Sequence, residues 1–136
     1  MIAYHGTDYY NKIKRFKKSK SGSLGSDLIY FTDDMKTAYD YAIRRVGSGK
    51  LYTVELNITK PLVIPFDVEP VNFVLSENKA YKRKSQNTNY CYWLKATDYN
   101  KYRKLGYDAI IYRNEIAVFN PDVIKVLDVI DVSMKW

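Results

Sequence analysis

The alternation of apolar and polar positions changes period several times along the chain, and each change marks an element. Ile2 to Tyr4 reads as a short opening strand, and Leu28-Ile29-Tyr30-Phe31 is a compact β-branched and aromatic run expected to form a second. Next, Thr32-Asp33-Asp34 offers capping side chains to a helix. Its apolar positions Met35, Ala38, Ala42 and Val46 fall at helical spacing until Gly47 and Gly49 end the pattern. From Lys50 the period drops to two: Leu51, Thr53 and Glu55 alternate with Tyr52, Val54 and Leu56, and Pro61 opens the run Leu62-Val63-Ile64. Residues 67–89 carry few signals beyond a basic cluster, Lys79, Lys82, Arg83 and Lys84, which runs into the polar stretch Ser85 to Asn89 and reads as an exposed loop. A helix is expected from Thr97 to Leu105, stopped by Gly106. Strands follow at Tyr107 to Tyr112 and Glu115 to Phe119, separated by Arg113-Asn114, and a last apolar strand at Ile124 to Val132 follows the Asn120-Pro121-Asp122 turn. Together these describe one α+β domain over residues 1–136, with a few short helices packed on antiparallel sheet.

Composition narrows the chemistry. The 136 residues are 46% hydrophobic and 27% charged, an ordinary balance for a soluble domain, and no apolar run approaches the roughly 18 residues of a membrane span. No membrane partner is expected. Met1-Ile2-Ala3-Tyr4-His5 lacks the charged-then-apolar layout of a signal peptide, which makes a cytoplasmic location and a monomer the expectation. One cysteine, Cys91, cannot close an internal disulfide, and one histidine, His5, leaves too few soft ligands for a structural zinc site, so no metal is expected. The same scarcity removes every mechanism that needs two histidines. With 22 Lys and Arg against 15 Asp and Glu, the net charge of +7 favours polyanionic partners.

Three pieces far apart in the chain place a polar residue at or beside a strand edge: Tyr4-His5-Gly6-Thr7, Ile29-Tyr30-Phe31-Thr32 and Glu115-Ile116-Ala117-Val118-Phe119-Asn120. In this order they resemble the His-Tyr-Glu signature of ADP-ribosyltransferases of the diphtheria-toxin and poly(ADP-ribose) polymerase type. In the polymerases a second tyrosine follows the first by eleven residues, and Tyr41 stands at that interval from Tyr30. The resemblance implies split antiparallel β-sheets around an NAD+ cleft, in a small single-domain member of the toxin or phage-effector kind. It further implies cleavage of NAD+ with release of nicotinamide and transfer of ADP-ribose; the connection from Tyr112 to Glu115 is too tight for the long loop of the polymerases, so transfer of a single ADP-ribose is expected. By the same resemblance the catalytic residues are His5, Tyr30 and Glu115. The NAD+ contacts are His5, Gly6, Thr7, Tyr30, Phe31, Tyr41 and Glu115.

Those residue types suit the reaction. Cleavage of the nicotinamide glycosidic bond builds positive charge on the ribose, which a carboxylate such as Glu115 stabilises. His5 can hydrogen-bond a ribose hydroxyl through either ring nitrogen. Gly6, without a Cβ, permits close approach to the carboxamide, and the faces of Tyr30 and Tyr41 suit a cationic ring. Two positions depart from the family pattern. A serine that bonds the carboxamide in the polymerases is replaced by Ala38, which leaves Thr37 or water for that contact. Arg113 stands two residues before Glu115, where the related Arg-Ser-Glu toxins carry Gln or Glu.

The acceptor is read from charge alone. Lys12 to Lys20 and Lys79 to Lys84, interleaved with Tyr10, Phe16 and Tyr81, suit a nucleic acid, and an acidic protein surface fits the same charge; protein is slightly favoured as the commoner acceptor of such enzymes. Lys17, Lys18 and Lys20 are candidate phosphate contacts. Two rival readings use the same fold: an NAD+ glycohydrolase whose acceptor is water, and a non-catalytic basic module that binds nucleic acid. Against a Cys91 nucleophile stand its neighbours Tyr90, Tyr92 and Trp93, which read as packing.

Overall fold

A computed structural model describes residues 1–8, 28–77 and 99–134. The basic stretches Lys12 to Lys20 and Lys79 to Lys84, with Tyr10, Phe16, Tyr81 and Cys91, lie outside the described residues. In chain order the elements are β1 (Ile2–Asp8), β2 (Ile29–Thr32), α1 (Met35–Ile43), β3 (Ser48–Leu56), β4 (Pro61–Ile64), α2 (Pro70–Glu77), α3 (Asn100–Lys104), β5 (Ala109–Tyr112), β6 (Glu115–Val118) and β7 (Ile124–Ser133). The seven strands form one mixed sheet in the order β4-β5-β6-β2-β1-β3-β7. Every pair is antiparallel except β4 with β5, which is parallel. This is the α+β ADP-ribosyltransferase-like architecture that the strand pattern and the resemblance led to, with one parallel edge added.

The pairing is uneven. β1 runs against β3 over its whole length, and β2 runs against β6 over all four residues, but β1 meets β2 at one register pair, Tyr4 with Thr32. The sheet is therefore two ladders joined at a narrow seam.

Side-chain parity assigns the faces. Ala3, Tyr52, Val54 and Leu56 from one half join Ile29, Phe31, Ile116 and Val118 from the other in a single buried cluster. Strands that are not neighbours share this core, so the sheet curls with that face inside. On the outer face α1 covers β1 and β3. A second cluster there joins Val74 of α2 and Tyr99 and Tyr102 beside and within α3 to Leu62, Ile64, Ile110 and Tyr112 of β4 and β5.

Several expectations shift. Helix α2 forms where the sequence offered few signals, and α3 begins at Asn100, while Thr97 and Asp98 lie outside the described residues. α1 stops at Ile43, and of its apolar set Ala38 and Ala42 are buried whereas Met35 and Val46 are exposed, so the buried stripe is a narrow seat of small residues. Asp34 is the N-cap residue, but its carboxylate accepts from the Thr37 hydroxyl at 2.6 Å, and Thr32 Oγ1 accepts from the Asp34 amide at 3.1 Å. The last apolar strand, β7, is a sheet edge exposed along nearly all its length. There Tyr39 donates to the Ser133 carbonyl and the Val129 amide donates to Asp128 Oδ1, which occupy backbone groups a second chain would otherwise pair with.

The narrow seat of α1 has a steric cause. A Cβ on Gly6 would overlap the Ala38 carbonyl, and one on Gly49 would overlap the carbonyls of Ala42 and Thr7. The helix backbone rests directly on the strands at these two glycines. Replacing Gly6 by Ala is expected to destabilise the fold by about 1–3 kcal/mol, the usual range for overpacking. Urea denaturation of the variant checks this, and an unchanged midpoint would mean that α1 shifts freely on the sheet.

Candidate active site

The seam between β1 and β2 organises the candidate residues. If the ladder continued past Tyr4 and Thr32, Gly6 would face Tyr30 and the two strands would exchange another backbone bond. Instead the His5 side chain takes that place. Its Nδ1 lies 2.8 Å from the Tyr30 carbonyl oxygen. A carbonyl only accepts, so Nδ1 carries the proton, and in the neutral ring Nε2 is then an acceptor. The ring is held edge-on by Phe31 at 5.7 Å and Tyr52 at 6.4 Å between centroids. Burial pushes the His5 pKa below its ordinary 6.5, and the bond to Tyr30 opposes that shift without cancelling it. His5 is thus neutral at pH 7, in one tautomer, with its ring fixed.

The other candidates lie on the opposite face of the sheet. Gly6 faces α1, and Tyr4 shares its side of β1. Tyr4 pairs with Thr32 and Thr32 with Glu115, so Tyr30, Thr32 and Glu115 all project from the α1 face. Both Tyr30 and Glu115 are half-buried. Tyr41 follows from the helix geometry. At 100° per residue, Tyr39 and Tyr41 lie about 80° to either side of the buried Ala38–Ala42 line. Tyr39 bonds to Ser133 on β7, so Tyr41 flanks the side toward β2. It is 51% exposed, and the Arg44 guanidinium sits 4.3 Å from its ring centre. Tyr30 itself packs against the cluster beneath α2 and α3. On the α1 face, β2 thus carries Tyr30 and lies between the flank of α1 that bears Tyr41 and the cluster beneath α2 and α3, with Glu115 on the neighbouring strand β6.

A family model described as "ADP-Ribosyltransferase in polyvalent proteins" matches residues 1–129. The chain belongs to this ADP-ribosyltransferase family. No curated protein matches it. Membership supplies the general chemistry, transfer of ADP-ribose taken from NAD+.

Several expected contacts of this ADP-ribosyltransferase take a different form. Gly6 is glycine here because the Ala38 carbonyl lies over it, and that steric demand is met whether or not a ligand is present. Ala38, in the position of the polymerase serine, is buried against β1 and brings no hydroxyl to that contact. The Thr37 hydroxyl donates its proton to Asp34 rather than toward the seam. That bond, with the backbone amides of Lys36 and Thr37, holds the Asp34 carboxyl below its ordinary range. Phe31 is buried behind His5, and Thr7 lies on the His5 side of β1, opposite Lys50 of β3. Among the described residues, no group of three His, Cys, Asp or Glu is placed to hold a metal ion.

One feature of this end of the sheet was not legible in the sequence. Arg113 Nε donates to the Phe66 carbonyl at 3.1 Å, and its guanidinium lies 4.7 Å from the Phe66 ring centre and 4.9 Å from that of Tyr112. The available signal was an aromatic in the polar turn Pro65-Phe66-Asp67, but its partner stands 47 residues away.

His5 generates a prediction with a definite sign. The unfolded chain binds a proton near pH 6.5, whereas the folded chain resists it to lower pH, so this contribution is complete above about pH 6.5 and is lost as pH falls below it. Wild type should lose more stability between pH 7.5 and 5 than a His5→Gln variant does, as measured by denaturation midpoints. Identical pH slopes would contradict a buried neutral imidazole.

Proposed function

We propose that this chain is a mono-ADP-ribosyltransferase of the His-Tyr-Glu class, which cleaves NAD+, releases nicotinamide and passes ADP-ribose to a macromolecular acceptor. The observation that carries the reading is the shared face of Tyr30, Thr32 and Glu115 beside a β1–β2 seam held by a neutral, oriented histidine. Two tyrosines on the α1 face suit a flat cation. The neutral His5, protonated on Nδ1, offers an acceptor for a ribose hydroxyl, and Glu115 lies one strand away from Tyr30.

In this reading Tyr30 and Tyr41 flank the nicotinamide ring on the α1 face, and His5 Nε2, whose ring lies on the other face, accepts from a ribose hydroxyl that reaches it through the β1–β2 seam. Glu115 opposes the positive charge that grows on the ribose as the bond to nicotinamide lengthens. The leaving ring keeps the electron pair and departs as neutral nicotinamide. The acceptor nucleophile forms the new bond to the same carbon and loses its proton. His5 cannot serve as a strong acid here, because its burial favours the neutral form; its work is to orient. The two-residue turn between Tyr112 and Glu115 has no place for the long loop that polymerases carry there, in keeping with a single transfer.

An opposite charge at about 4 Å contributes roughly 4 kcal/mol at an effective dielectric near 20, so Glu115→Gln should lower nicotinamide release about a thousandfold. The test incubates wild type and variant with adenylate-labelled NAD+ in a bacterial lysate and follows free nicotinamide and label. Release with labelling supports the transferase. Release without labelling identifies a glycohydrolase, and no release from wild type rejects catalysis.

A further inference from the structure

The Phe66–Arg113 stack is unusual in three respects. Arg113 has φ +55°, the one positive value among the described non-glycine residues, in a conformation that strains a side-chain-bearing residue. Phe66 is 71% exposed, the most exposed large apolar side chain among those described. Between them they use one of the five guanidinium N–H groups, on the Phe66 carbonyl. Arg113 makes no ion pair with Asp67 or Glu69, the nearest acids in sequence to Phe66, among the described residues. The fold thus holds a guanidinium and an exposed ring side by side, and neither completes a core.

Their location is specific. Tyr112, whose ring lies under the guanidinium, is the direct cross-strand partner of Glu115. Such partners have Cβ atoms about 5 Å apart, so the stack stands roughly 10 Å from the candidate carboxylate. That is within the reach of one nucleotide. A planar ring accepts a base by stacking, and the remaining guanidinium donors match the oxygens of a phosphate. The net charge of +7 attracts a polyanion as a whole, while Asp67 and Glu69 disfavour the continuous phosphate ladder of a duplex at this spot.

Building on the transferase reading, we propose that Phe66 and Arg113 form its acceptor platform, and that the acceptor docked there is an unpaired nucleotide of a single-stranded nucleic acid. The base stacks on Phe66 and an adjacent phosphate takes the free donors of Arg113. In the transfer, a nitrogen or hydroxyl of the acceptor strand bonds to the ribose carbon as the nicotinamide bond breaks. Nicotinamide takes the electron pair, and the acceptor's proton passes to solvent. Phe66 and Arg113 touch the acceptor strand and position it; the bond-breaking centre is elsewhere.

The test measures fluorescence anisotropy of labelled single-stranded DNA and RNA oligonucleotides of mixed sequence with the full chain, without NAD+. Phe66→Leu keeps an apolar side chain but no planar face, and should weaken binding about 5- to 150-fold, whereas Phe66→Trp restores it. Arg113→Gln should weaken binding and reduce the salt slope by about one, while Lys125→Gln, an equal charge loss at the far edge of the sheet, should do neither. Thermal melts establish that each variant is folded. Binding of Phe66→Leu and Arg113→Gln equal to that of wild type overturns the proposal. So does transfer of label from NAD+ to lysate proteins but to no oligonucleotide, which leaves the transferase reading intact. Conversely, binding that depends on Phe66 with no nicotinamide released upholds the platform and removes the transferase.

Discussion

The structure depends on one substitution of bonds: an imidazole takes the place of a backbone ladder. β1 and β2 would ordinarily pair past Tyr4 and Thr32, and the Tyr30 carbonyl would be bonded by the facing strand. His5 Nδ1 satisfies it instead. A buried carbonyl left without a donor costs about 1–3 kcal/mol, so the strands can separate only because a side chain supplies that donor. The separation opens a seam in an otherwise continuous sheet. It also fixes the tautomer and ring position of the chain's single histidine. One bond thereby shapes the seam and leaves Nε2 as the acceptor nitrogen of the ring.

The second constraint is the seat of α1. The helix backbone lies so close to Gly6 and Gly49 that no Cβ fits beneath it, and Ala38 and Ala42 are the small residues that make this contact. Close seating brings the flank bearing Tyr41 toward β2, where Tyr30 rises from the same face. Position 38 is alanine and supplies no hydroxyl, and the Thr37 hydroxyl is committed to Asp34.

Much of this was legible in the sequence. The strand β3 follows from a period-two run, and β2, β4, β5 and β6 from compact apolar runs bounded by turn residues, while β1 extends to Asp8, past the Tyr4 limit read for it. The hairpin Arg113-Asn114 falls between two such runs, and the ordered His5, Tyr30 and Glu115 pieces carry the family resemblance. The misses have physical reasons. α2 lacks an amphipathic stripe strong enough to stand out, because its environment is set by strands distant in sequence. The apolar run of β7 was read as a strand, but its place at the sheet edge follows from sheet order, which the run does not carry. Gly6 was read as admitting a ligand's carboxamide, and the sequence does not say that the Ala38 carbonyl lies over it. Nor can it foresee that His5 would bond to a backbone oxygen 25 residues away, or that Arg113 would lie on Phe66.

The most direct measurement is the nitrogen-15 spectrum of the His5 ring at pH 7, unambiguous in a chain with one histidine, before and after NAD+ is added to the Glu115→Gln protein. The account predicts a neutral ring protonated at Nδ1 in the free protein, and on addition a shift of the Nε2 resonance with Nδ1 little changed. A ring protonated at Nε2, or an Nε2 resonance that does not respond to saturating NAD+, would contradict it.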